Sequence, residues 1–313
     1  MFDPKDFLRR CPADLQDQVL PDRSLRDMTT LRVGGVARLV CSLQTPEQGL
    51  RFQDICQTMG VPSYVLGGGS NVLADDQGYR GVVLHVTGDR CDVRGDTVVA
   101  SCGLGFDELI VRTLAGGLTG LEFASGIPGT LGGALVGNAG CYGHEIGEFL
   151  VEAVILRRNG RLEKVGPEDF AFGYRETCLR ETGDIVMEAT LRLARGDLEA
   201  ATESRLEKIA DRRAKHPVDL PSAGSWFRNL PAETPGGRRR AAGHFLELAG
   251  AKEMSEGDAR VFSGHANMIV NTGRATSRQV RDLAARMHRA VLDRFGLDLV
   301  EEVRYLHPGQ DEA

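Results

Sequence analysis

EFASGIPGTLGGALVGNAGCYG (Glu122–Gly143) is a glycine-dense run in an otherwise ordinary sequence. Glycine loses more backbone entropy on folding than any other residue and brings no side chain to a core. Such a run lowers stability unless something must lie close to the main chain. Amide N–H groups left bare by missing side chains suit a phosphate or another anion. A shorter run upstream, VLGGGSNVL (Val65–Leu73), repeats the pattern. Together the two loops predict one long phosphorylated ligand lying against two stretches of backbone.

The composition around these loops is that of a soluble globular chain. Its 313 residues are 42% hydrophobic and 26% charged, enough for two or three domains. Glycine is the outlier, at 39 residues. A net charge of −6 argues against general nucleic-acid binding, which needs a basic surface to release counterions. It leaves room for a small anionic ligand held by a few arginines. The cysteines at positions 11, 41, 56, 91, 102, 141 and 178 are odd in number and form no CxxC pair. They fit neither a disulfide framework nor a zinc site, so reduced thiols and no metal are expected. The stretch MFDPKDFLRRCP carries acidic residues and no continuous apolar core, unlike a signal peptide. No apolar run approaches the ~18 residues of a membrane span. The expectation is a cytoplasmic protein with no membrane partner, a monomer or weak homo-oligomer.

Local patterns predict an α+β chain. Residues 1–28 read as a helical or irregular leader, and Thr29–Leu43 as strand around a Gly34–Gly35 turn. Thr45, Pro46 and Gln48 open a helix with a capping box, Gly60 closes it, and Leu50, Ile55 and Met59 give it an apolar face. The strand Val61–Leu66 then leads straight into Gly67–Asn71. Short strands follow between Gly81 and Cys102, then a helix over Phe106–Ala115, and strands at Val151–Leu156 and Asp184–Leu193. Ala200–Lys215 is a charged helix whose basic residues read as a solvated face, and Arg238–Arg240 read as an exposed loop. Thr276 and Gln279 cap a last helix to Phe295, striped by Val280, Leu283, Met287 and Val291 and stopped by Gly296. The strand LDLVEEVRYL and a frayed tail, Pro308–Ala313, end the chain. The implied division is 1–85, 86–199 and 200–313.

Several familiar sites are missing. There is no GxGxxG, no GxxxxGK[ST], no HExxH and no GxSxG. The glycines therefore serve another binding mode. Seven strings in order, TTLRVGG (Thr29–Gly35), LGGGSN (Leu66–Asn71), GLEFASGIPGTLGGALVGNAGCYG (Gly120–Gly143), FGYR (Phe172–Arg175), GSWFRN (Gly224–Asn229), SGHANMIVN (Ser263–Asn271) and LVEEVR (Leu299–Arg304), resemble the UDP-N-acetylenolpyruvoylglucosamine reductase family. The resemblance spans nearly the whole chain.

It implies a two-subdomain FAD-binding module of the vanillyl-alcohol-oxidase-like (PCMH) type, followed by a C-terminal α+β substrate-binding domain. It also implies FAD as cofactor, NADPH as reductant and a UDP-sugar enolpyruvate as substrate. Some relatives of that wider fold tether FAD through a histidine in the first glycine loop. Here that loop is Gly67, Gly68, Gly69, Ser70 and Asn71, so non-covalent FAD is expected. The pyrophosphate would lie against these amides and against Gly126, Pro128, Gly129, Thr130, Gly132 and Gly133, with Asn138 as a further donor.

The chemistry sets the catalytic expectation. Reducing an enolpyruvyl ether needs hydride at the terminal vinyl carbon and a proton at the carbon bearing the carboxylate. Charge that develops on that carboxylate is best met by a preorganised cation. Arg175 matches the family's carboxylate-stabilising arginine, Ser225 its proton donor and Glu302 the glutamate beside the same carboxylate. Lys215 resembles a lysine near the ligand phosphates, and Asn229 is a candidate substrate contact. His265, Asn267 and Asn271 are pocket residues or core hydrogen-bonders. The chain departs from the family pattern at Val300 and Glu301, at Leu230 in place of a proline, and at Gly137 where a larger residue is usual. The short interval from Arg175 to Ser225 implies the subclass without an extra tyrosine loop. Two other readings stay open: an oxidase of small alcohols or hydroxy acids on the same binding fold, and a catalytically silent flavin-binding protein.

Overall fold

The computed structural model describes residues 3–234 and 236–309. Three sheets organise the chain. In the first, β1 (Val19–Ser24), β2 (Val36–Leu43), β3 (Ser63–Leu66) and β5 (Tyr79–Val86) run in the order β1-β2-β5-β3, with β2 and β3 parallel to β5. Between β3 and β5 lies the short β4 (Val72–Ala74). The second sheet contains β6 (Cys91–Arg94) and β7 (Thr97–Ser101). After a small hairpin of β8 (Gly140–Cys141) and β9 (His144–Glu145), it is completed by β10 (Leu150–Leu156), β11 (Leu162–Val165) and β12 (Ile185–Arg192). It is wholly antiparallel, in the order β11-β10-β12-β7-β6. The third sheet joins β13 (Ser222–Ser225), β14 (Ser255–Glu256), β15 (Ala259–Phe262) and β16 (His265–Asn271). The last strand, β17 (Arg304–Leu306), leaves that neighbourhood and pairs in parallel with β4.

Nine α-helices pack around these sheets among the described residues: α1 (Pro4–Arg10), α2 (Leu25–Met28), α3 (Pro46–Met59), α4 (Phe106–Ala115), α5 (Leu131–Val136), α6 (Leu179–Thr182), α7 (Leu198–Lys215), α8 (Ala242–Leu248) and α9 (Ser277–Phe295). The first two sheets share one core. Phe7, Leu39, Phe52 and Leu84 meet Val98, Phe106, Leu135, Ile155 and Leu191 within it. A second core, with Trp226, Phe227, Ile269 and the α9 stripe, also takes in Leu31, Val33 and Leu73. Burial of each large side chain in these cores contributes roughly 1.5–3 kcal/mol relative to exposure.

Helix α9 has the caps its sequence predicts. Thr276 Oγ1 accepts from the Gln279 amide at 3.1 Å, Gln279 Oε1 accepts from the Thr276 amide at 3.0 Å, and Gly296 takes φ +66°. Helix α4 covers Phe106–Ala115 as expected. Helix α3 differs in detail. Thr45 caps it, but Gln48 accepts from the Gln44 amide at 2.8 Å, so the capping box is incomplete. Its core face is Phe52, Ile55 and Cys56, with Leu50 and Met59 at the margin.

Other expectations need correction. The leader holds the edge strand β1, and Thr29–Gly35 is a loop fixed by hydrogen bonds rather than strand. The final strand is only Arg304–Leu306, because Leu299–Val303 bonds to the Trp226–Arg228 loop instead. Pro308 accepts from the Arg80 amide at 3.1 Å and so is not frayed, while residues 310–313 lie outside the described part. The face of α7 is not simply solvated. Arg205 forms a bidentate pair with Asp107 at 2.6 and 2.8 Å, and Arg212 Nε donates to the Gly126 carbonyl at 3.1 Å.

Candidate active site

One large cavity of about 910 Å³ runs between the glycine loops and the third sheet. That is the size of a site for a large cofactor or drug-sized ligand. Gly67, Gly68, Gly69, Ser70, Asn71, Pro128, Gly129, Thr130, Gly132 and Gly133 all line it. The two loops also touch each other. A Cβ on Gly68 would lie 2.8 Å from the Gly129 Cα, one on Gly67 2.6 Å from Thr130 Oγ1, and one on Gly129 2.6 Å from Ser70 Oγ. These glycines are therefore required first by loop-on-loop packing.

Gly133 is different. A Cβ there would meet only Thr130 Oγ1 at an ordinary 3.7 Å, so the protein itself leaves that space open. The amides of Gly68, Gly69 and Ser70 donate to no other described residue. Bare amides beside open backbone fit a pyrophosphate. Two expected members stand elsewhere. Gly126 is outside the cavity lining, its amide donating to Asp107 Oδ1 at 2.7 Å. Asn138 is buried beneath the site, with Nδ2 donating to Glu145 Oε2 at 2.6 Å and to the Gly173 carbonyl at 2.9 Å.

Asn138 and its neighbours hold Arg175. The Arg175 guanidinium donates to the Asn138 carbonyl at 3.3 Å and to the Gly140 carbonyl. Arg175 itself sits at φ +59°, a left-handed conformation that is uncommon outside glycine and that clusters at functional sites. Its Nε lies 3.7 Å from Glu302 Oε1. Glu302 faces the cavity, while its neighbour Glu301 turns away and accepts from Trp226 Nε1 at 3.1 Å. Burial pushes the Glu302 carboxyl above the usual range, and Arg175, Arg180 and Arg228 pull it partly back.

Ser225 ends β13 and lines the same cavity, with no hydrogen bond from its hydroxyl to another described residue. The loop after it is fixed with leucine, not proline, at position 230. Asn267 accepts from the Phe227 amide at 2.9 Å and donates to the Phe227 carbonyl at 2.8 Å, while Asn229 Oδ1 accepts from the Ala242 amide at 3.2 Å. Asn229 reaches the cavity wall. Asn267, Asn271 and His265 do not, and act as core hydrogen-bonders: Asn271 Nδ2 donates to the Leu31 and Arg32 carbonyls, and His265 Nδ1 accepts from the Asn267 amide. Lys215 is also outside the lining, exposed and paired with Asp211.

Sequence reasoning passed over Tyr174, Arg180, Arg212, His216 and Arg304, all in the lining. The basic side chains along RRAKH (Arg212–His216) were the signal for two of them, since Arg212 and His216, four positions apart, share one helix face. Arg239, from the arginine run, is likewise not just an exposed loop residue. Its guanidinium stacks 3.8 Å over the Tyr174 ring and donates to the Asn229 carbonyl at 3.4 Å, joining the third sheet's side of the cleft to the Arg175 side.

His216 is half-buried, and desolvation, with Arg212 and His265 beside it, lowers its pKa to about 4. Its Nδ1 is buried without a partner. A depressed histidine pKa favours the neutral ring in the folded state. The stability this gives is present above the ordinary value of 6.5 and is lost as pH falls toward about 4. In the ligand-free protein the His216 Cε1 proton should titrate with a midpoint of about 4 by NMR. A midpoint at the ordinary 6.5 would mean a solvated ring.

Residues 37–166 match the FAD binding domain family, and residues 216–306 match the family described as UDP-N-acetylenolpyruvoylglucosamine reductase, C-terminal domain. A UDP-N-acetylenolpyruvoylglucosamine reductase of Symbiobacterium thermophilum is 38% identical over 282 residues, covering 90% of this chain and 89% of the relative. One from Rubrobacter xylanophilus is 37% identical over 286 residues, covering 90% and 93%. The crystal structure of the Thermus caldophilus reductase superposes with a TM-score of 0.76 at 30% identity, over 92% of this chain and 98% of that one. With identity of this degree over nine-tenths of its length, the chain belongs to the UDP-N-acetylenolpyruvoylglucosamine reductase family.

Proposed function

We propose that this chain uses NADPH to reduce UDP-N-acetylglucosamine enolpyruvate to UDP-N-acetylmuramate, a step of peptidoglycan precursor synthesis, with non-covalent FAD in the cavity. The chemistry supplied by bound FAD is the relay of two electrons from NADPH to the enolpyruvyl double bond. The chain's own residues do the rest. Gly68, Gly69 and Ser70 offer amides to the pyrophosphate, and Gly133 leaves room for it. Arg175 meets the substrate carboxylate as charge builds there, with the planar fork that suits a carboxylate better than lysine would. The Ser225 hydroxyl gives its proton to the carbon next to that carboxylate. Glu302, beside Arg175, holds the arginine's orientation and the proton inventory of the same corner.

The observation that carries this reading is the convergence of Arg175, Ser225 and Glu302 in the wall of one cavity with both glycine loops. It favours a reductase over an oxidase, because a proton donor and a carboxylate clamp serve an acceptor substrate. The three sheets support a division near 1–85, 86–199 and 200–313. No described helix is long and apolar enough to cross a membrane, and a cytoplasmic monomer suits a site built within one chain.

Anaerobic stopped-flow absorbance tests the whole reading. NADPH should bleach the bound flavin, and the enolpyruvyl sugar nucleotide should restore its colour in a single turnover. Failure of that substrate to reoxidise the flavin would sink the assignment, and rapid reoxidation by oxygen alone would point to an oxidase.

A further inference from the structure

Arg180 is a cationic side chain in the cavity wall whose guanidinium no described carboxylate pairs directly, although Glu302 and Glu176 act on it from a distance. It lies in α6, and its guanidinium makes no hydrogen bond or ion pair with another described residue. Its Nε is buried without a partner. The neighbouring arginines are committed: Arg175 faces Glu302 at 3.7 Å, and Arg228 Nη1 donates to Glu176 Oε2 at 2.7 Å. Burial, with Arg228 and Arg304 adding repulsion, makes Arg180 costly to keep ionised, and Glu302 and Glu176 offset only part of this. A buried guanidinium nitrogen left without a partner in such a place is accounted for by an anion that fills the space during function.

Gly137 caps α5, and a Cβ there would come within 3.2 Å of Arg180 Nη2. The guanidinium occupies the room that this glycine leaves. It therefore lies against the end of α5, the helix that carries Gly132 and Gly133 in the cofactor loops.

We propose that Arg180 is a positioning residue for the reduced cofactor, stabilising the negative charge that the flavin ring gains when it takes up two electrons. The inference rests on FAD filling this cavity. Transfer of a hydride from NADPH carries two electrons and one proton to flavin N5. The ring is left with one negative charge, spread over N1 and the C2 oxygen, and NADP⁺ leaves. A guanidinium with free donors matches that planar, delocalised N–C–O edge. Oxidised flavin carries no such charge, so the interaction favours one redox state only.

The test uses the holoenzymes of wild type, Arg180→Gln and Arg180→Lys. The midpoint potential of bound FAD is measured against a reference dye, and sulfite affinity is measured in parallel, since the N5 adduct places the same charge on the ring. In Arg180→Gln the reduced form should lose at least about tenfold in affinity relative to the oxidised form, a shift of roughly 30 mV to more negative potential. Sulfite binding should weaken by a comparable factor, and Arg180→Lys should restore most of both. Unchanged potential and sulfite affinity with a raised KM for the sugar nucleotide would overturn the proposal and assign Arg180 to substrate. Unchanged values throughout would make it structural. Wild-type protein that holds no FAD would instead defeat the underlying functional reading.

Discussion

Replacing Ser225 by alanine should slow reoxidation of the flavin by the enolpyruvyl substrate by roughly 10²–10⁴-fold, the usual worth of a positioned proton donor. Reduction by NADPH should stay near the wild-type rate, because that step needs no proton at the substrate carbon. The split arises from the setting of the residue. The Ser225 hydroxyl is committed to no other described group, while the loop that follows is held by Asn267 on both polar atoms of the Phe227 backbone. Losing the hydroxyl therefore leaves the loop's main supports in place. Single-turnover stopped-flow measurement of the two half-reactions checks the result. An equal loss in both halves would make Ser225 a structural or nucleotide-binding residue.

The second large effect belongs to the glycine loops. Gly68→Val should destabilise the protein with or without FAD and weaken FAD binding at least about tenfold, since overpacking of this kind costs roughly 1–3 kcal/mol or more. Its Cβ would lie 2.8 Å from the Gly129 Cα, and backbone cannot swing aside as a side-chain end can. Gly133→Ala is the contrasting case. The apo-protein has room for the methyl group, and alanine is favoured over glycine within a helix by about 1 kcal/mol. That variant should melt higher than wild type when stripped of FAD and yet bind FAD more weakly. Thermal melts of apo- and holoprotein, with flavin fluorescence titration, separate the two. Tight FAD binding in Gly133→Ala would mean that the cofactor does not lie against this turn.

Much of this arrangement was legible in the sequence where the signal is local. The α9 caps, the α4 limits and the two loops depend on residues within a few positions of one another. Family motifs carried Arg175, Ser225 and Glu302 to one cavity across more than a hundred residues. What was missed has a different physical origin. Lys215 and Arg212 are both basic residues of α7, and only the direction of the helix face decides that Arg212 turns inward while Lys215 stays with Asp211. Asn138 reads as a ligand donor in a glycine loop, but its burial makes it the bracket under Arg175. Arg180 has no motif at all. Its significance lies in hydrogen-bond partners missing among the described residues, and a sequence does not display absences. The strand expected over Leu297–Leu306 was shortened because the loop after Ser225 competes for the same backbone: the Glu302 amide donates to the Trp226 carbonyl, and the Arg228 amide to the Val300 carbonyl.

That competition ends with β17 lying beside β4, one residue beyond the first glycine loop. The Arg304 amide donates to the Asn71 carbonyl at 3.0 Å, and Asn71 Nδ2 donates to the Glu302 carbonyl at 3.0 Å. In the order of synthesis, the loop at residues 67–71 waits for a segment 231 positions later before it is braced. The nascent protein can assemble its first two sheets on the ribosome, but the finished cofactor cradle and the acidic group of the reaction corner arrive in the same closing event. Capture of the flavin and completion of the catalytic corner are thus tied to synthesis of the segment at residues 302–306, and a product terminated before it would lack both together.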